Sequence, residues 1–135
     1  MRTAILTLLQ STPARILLPI AWMGLIFTLS HQPTLPYPPD VDAMVISTLG
    51  HVTVYAVLAA LVWWALGGSG VAGGWRAVLS VAVAVLYGIT DEWHQSFVPG
   101  RTPDARDVVA DLTGAVLAMM VVAWLARRGV LDAGR

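Results

Sequence analysis

Four long apolar runs alternate with short polar, proline-rich or glycine-rich connections along this chain. They cover about residues 14–30, 45–66, 75–94 and 107–126. Each approaches the ~20 residues a helix needs to cross a hydrocarbon core. Residues 31–42 hold four of the eight prolines and predict an extended, stiff loop, because proline fixes φ and disfavours helix in the residue before it. Residues 67–74 (GGSGVAGG) predict a flexible turn, and Pro99, Gly100 and Pro103 break the helix between the last two runs. Pro19 falls in the first turns of its run, where proline is tolerated. Residues 1–14 predict a short interfacial helix, and a signal peptide is disfavoured because Arg15 interrupts the run and no small-x-small site follows Ser30. The pattern predicts one all-α domain over residues 1–135, a four-transmembrane-helix bundle.

Helical periodicity sorts the polar residues onto faces. The second span aligns Thr48, His51 and Tyr55, and the third aligns Tyr87, Asp91 and Gln95 with Gly88 beside them. The fourth aligns Asp107, Asp111, Gly114 and Ala118, with Ala110 extending a small-residue edge of the kind that lets helices approach closely in lipid.

Composition agrees with a lipid environment: 57% of residues are hydrophobic and only 12% charged. Net charge is zero, every cation is arginine, no basic patch suggests nucleic acid, and the absence of cysteine excludes disulfides and thiolate metal sites. The charges are unevenly placed. Five of the eight acids lie between Tyr87 and Asp111. Alternation of four spans puts all three histidines, seven acids, Arg101 and Arg106 at one end. Arg2, Arg15, Arg76, Arg127, Arg128 and Arg135 fall at the other, with Asp132 as the sole acid there. The positive-inside rule then predicts both termini in the cytoplasm and an outward-facing acidic cluster. Trp63, Trp64, Trp75 and Trp124 fall at span ends, as interfacial aromatics do.

Charges inside membrane segments mark function or are paired for structure. In the functional reading Arg101 grips a phosphate with its planar fork while Asp91, Glu92 or His51 handles protons as catalytic groups. Gln95, Arg101, Asp107, Asp111 and Tyr55 would bind the ligand. In the structural reading the same groups form a salt-bridge and hydrogen-bond network locking the last two helices together. Asp107 has its own structural explanation as an N-cap. His94 points away from Asp91 and Gln95, and His31 ends the first helix. No HxxxH or HExxH spacing occurs, so neither a metal nor another cofactor is assigned.

HVTVYAVLAAL (51–61) and DEWHQSFVPGRTPDARDVVADLTGA (91–115) resemble the VanZ-like family of small bacterial membrane proteins. The family pattern falls on His51, Tyr55, Asp91, Glu92, Gln95, Phe97, Pro99, Gly100, Arg101, Asp107 and Gly114. Two positions depart from it: Thr48 stands where a lysine is frequent, and Asp111 where an asparagine is usual, which makes the pocket more negative. The resemblance implies a multi-pass protein of the bacterial cytoplasmic membrane and, through the founding member, a link to teicoplanin (lipoglycopeptide) resistance. It supplies no established reaction. The expected partners are membrane lipids, including a lipid-linked cell-wall precursor. The pocket either binds a lipid-linked anionic or glycan head group, with or without modifying it, or serves a non-catalytic scaffold or binding/transport subunit.

Overall fold

In a computed structural model, residues 11–33 and 42–131 are described. Residues 1–10 of the expected interfacial helix and 34–41 of the proline-rich connection lie outside them. The described residues form α1 (Thr12–Ser30), α2 (Ala43–Leu66), α3 (Gly73–Gln95) and α4 (Ala105–Arg127). All four are long and apolar enough to cross a membrane. The molecule is a membrane-helix bundle.

Each helix begins about two residues before its apolar run, and in α1, α2 and α4 a polar side chain starts it, whereas α3 follows Ala72 with no side-chain cap. Ser11 accepts a hydrogen bond from the Ala14 amide, Asp42 from Met44 and Asp104 from Arg106, satisfying donors left free at a helix start. Arg15 lies in the first turns of α1. Its guanidinium donates to the carbonyl of Trp64 at 2.9 Å.

The most extensive interface joins α2 and α4, and α1 does not touch α4. Between lipid-exposed helices there is little hydrophobic gain from association, so close packing carries the interface. Gly114 supplies it: a Cβ there would collide with the backbone carbonyl of Val52. Ala110 and Ala115 on α4 are buried as well. The small-residue edge of the fourth span therefore packs within the chain at Gly114. A side chain at Gly88 would meet the Asp111 carboxylate, which sets the spacing of α3 and α4.

α1 is fastened mainly by side chains reaching backbone carbonyls. Trp22 Nε1 donates to Val54 (2.9 Å), and Tyr87 Oη donates to Met23 (2.6 Å). At the arginine-rich end Arg76, 5% exposed, donates to the carbonyl of Trp63 and lies over its ring at 4.1 Å. Arg15 and Arg128 stack likewise on Trp64 and Trp124. Two arginines thus meet the C-terminal carbonyls of α2, where cations are favoured by the helix dipole. Trp63 is consequently buried in the bundle rather than presented at the membrane surface.

Candidate functional site

At the opposite end, polar side chains from all four helices and the α3–α4 connection converge in two adjoining groups. The first centres on His51. Its Nδ1 lies 2.8 Å from Asp111 Oδ1, and its Nε2 lies 3.6 Å from Asp107 Oδ2. Asp111 has 0% exposure. Glu92 reaches the same place from α3: one ligand-type atom from each of His51, Glu92 and Asp107 falls within 4.8 Å of the others. Glu92 Oε2 also accepts from the Asp104 amide at 2.8 Å, tying the end of α3 to the start of α4.

The second group centres on Asp91. Its Oδ2 accepts from Ser30 Oγ (2.6 Å) and from Gln95 Nε2 (3.1 Å). Arg101 donates from Nε to the Gln32 carbonyl (2.8 Å) and from NH2 to the Leu29 carbonyl (3.2 Å), bridging the α3–α4 connection to the end of α1. A cavity of about 540 Å³ opens between α1, α2 and this connection. His51, Tyr55, Asp91, Gln95, Arg101 and Asp107 line it, whereas Glu92 and Asp111 do not.

Several expectations need adjusting. The N-cap of α4 is Asp104, not Asp107: Asp104 Oδ1 takes the Arg106 amide, and Asp107 sits in the first turn. That frees the Asp107 carboxylate for His51 while leaving it well placed against the helix dipole. The Arg106 guanidinium grips Asp104 through Nε and NH2 and holds that carboxyl below the usual carboxylate range. His31 does end α1, but it also meets His94, Nδ1 to Nε2 at 3.3 Å, beside the ring of Phe27.

The family model for VanZ/LLP1 matches residues 14–126. The chain belongs to this family. The matched stretch takes in nearly all of the four helices of this VanZ-family protein, so bundle and polar site fall inside one homologous unit. No curated protein and no solved structure matches the chain significantly.

Two contributors had little sequence signal. Ser30 looks like any small polar residue ending a span, and its role appears only when α1 is laid beside Asp91. Asp104 stands between Pro103 and Ala105, and its spacing from Arg106 marks the cap only once the helix start is known.

Proposed function

We propose that this VanZ-family protein binds a lipid-linked anionic or glycan head group in a pocket facing outward from the bacterial cytoplasmic membrane. Such binding at the cell envelope would alter susceptibility to glycopeptides such as teicoplanin. The observation that supports it is the mixed lining of the cavity. Ile26, Leu29, Met44 and Val54 offer apolar surface, while Ser30, His51, Asp91, Gln95, Arg101 and Asp107 offer polar groups. An amphiphile fits a cavity that offers both kinds of surface. The volume of about 540 Å³ lies within the usual range for small-molecule sites. If the pocket turns over its ligand, the chemistry is hydrolysis or transfer at a phosphate or glycosyl bond. Arg101 would then stabilise charge, and Asp91 or His51, which line the cavity, would move the proton.

A second reading, a non-catalytic scaffold or transport subunit, also has support. The Asp91–Ser30, Glu92–Asp104 and Arg101–Leu29 contacts each join separate segments of the chain. Thermal melting of the detergent-purified protein with a polyprenyl phosphate, and with a zwitterionic phospholipid as control, separates the two. The pocket reading expects stabilisation by the polyprenyl phosphate alone. It expects Asp91→Asn to melt near the wild-type temperature but lose most of that stabilisation, and to lose any shift in teicoplanin susceptibility. An Asp91→Asn protein that melts much earlier, with no lipid preference in the wild type, would establish the scaffold instead.

A further inference from the structure

Around His51 the structure places more electron-rich atoms than the bundle's own hydrogen bonds use. With Asp111 as a carboxylate at 2.8 Å the imidazole carries a proton on Nδ1, and in the neutral ring the lone pair of Nε2 points the other way. Facing that lone pair is Asp107 Oδ2 at 3.6 Å, too far for a hydrogen bond. A carboxylate oxygen of Glu92 completes the group within 4.8 Å. Glu92 is 7% exposed, and its Oε1 has no hydrogen-bond partner among the described residues. A nitrogen lone pair and two carboxylates drawn together in a low-dielectric bundle repel one another unless a proton or a metal cation stands between them.

We propose that His51 Nε2, Glu92 and Asp107 bind a divalent transition-metal ion of the zinc class. Ligands on tetrahedral zinc stand about 3.3 Å apart, from bonds near 2.0–2.1 Å, so the His51–Asp107 spacing needs only a small contraction. One imidazole with two carboxylates suits such an ion better than a soft thiolate-seeking one. Asp111 is a positioning residue: it holds the imidazole through Nδ1, as carboxylates behind metal-bound histidines do. Three protein ligands leave coordination positions open, and His51 and Asp107 both line the cavity. The three donors come from three different helices, which is why no short sequence spacing marks them. The binding does not depend on the head-group reading, since it is measured with the metal alone.

The test uses the full chain in detergent, stripped of metal by a chelator and titrated calorimetrically with zinc chloride. A His94→Ala background removes the neighbouring pair formed by His31 and His94, itself spaced at 3.3 Å. The expected result is one zinc per chain. Glu92→Gln and Asp107→Asn should each weaken it at least tenfold, and Asp111→Asn by about 10–100-fold, the range for removing a ligand's orienting partner. Metal-free circular dichroism should stay unchanged in these variants. Absence of saturable binding in the His94→Ala chain, or unchanged affinity in the Glu92→Gln/Asp107→Asn double variant, overturns the proposal. Should the double variant fail to fold, cobalt substitution of the His94→Ala chain decides. An intense visible band of tetrahedral nitrogen–oxygen coordination supports the site, and its absence removes it.

Discussion

The Tyr55 hydroxyl is wholly buried on the His51 face of α2, its ring stacked with the imidazole, and has no hydrogen-bond partner among the described residues. An unsatisfied buried hydroxyl costs about 1–3 kcal/mol, so a purely structural tyrosine here would be better as phenylalanine. Tyr55 also lines the cavity, and a ligand oxygen that parts the side chains over the hydroxyl would supply the missing partner. Tyr55→Phe is therefore expected to melt at or above the wild-type temperature. Its stabilisation by the polyprenyl phosphate should be reduced several-fold. A lower melting temperature with the lipid response intact would assign the hydroxyl to structure and remove it from the pocket. The same contrast explains why residue types alone left two readings of this cluster: hydrogen bonding within the bundle and ligand binding use the same oxygen and nitrogen atoms.

Among the helices, the α2–α4 interface rests on the absence of a side chain at one position. Gly114→Ala puts a methyl group into the Val52 carbonyl, and backbone cannot rotate away as a flexible side chain can. Overpacking of this kind costs about 1–3 kcal/mol. Gly24→Ala and Gly74→Ala meet nothing within 4 Å and should be neutral or slightly stabilising, since alanine is the better helix former. Thermal melting of the three variants checks this, and equal stability across them would show that the helices do not approach so closely at Gly114. The periodicity of Asp107, Asp111, Gly114 and Ala118 made this face legible, because a helix repeats its faces whatever it packs against. Which residue capped the helix was less legible. Asp104 and Asp107 are both acids near its start, and the choice depends on the backbone turning at Asp104 rather than later. The Arg101 contact was less legible still. Its acceptors are main-chain carbonyls of Leu29 and Gln32, and a carbonyl has no letter in the sequence.

Taken whole, the molecule has an acidic end and an arginine end, and the two treat their charges differently. At the arginine end Arg15 and Arg76 are absorbed by the carbonyls and rings of Trp64 and Trp63. At the acidic end Asp91 Oδ1, Glu92 Oε1 and Asp111 Oδ2 remain buried without a partner among the described residues. Among the described residues Arg15, Arg76, Arg127 and Arg128 stand at one end against Arg101 and Arg106 at the other, and by the positive-inside rule the proposed outward-facing pocket predicts a labelling pattern. Thr102 is exposed on the rim of the cavity, and the chain has no native cysteine to confuse a probe. Thr102→Cys should react with a membrane-impermeant maleimide in intact cells. Ser69→Cys, exposed in the turn at the other end, should react only after permeabilisation. The reverse pattern would turn the pocket inward, and its ligand would then have to come from the cytoplasmic leaflet or from soluble phosphates. Labelling decides this without depending on the ligand, because it reads only which face of the membrane the open end of the bundle meets.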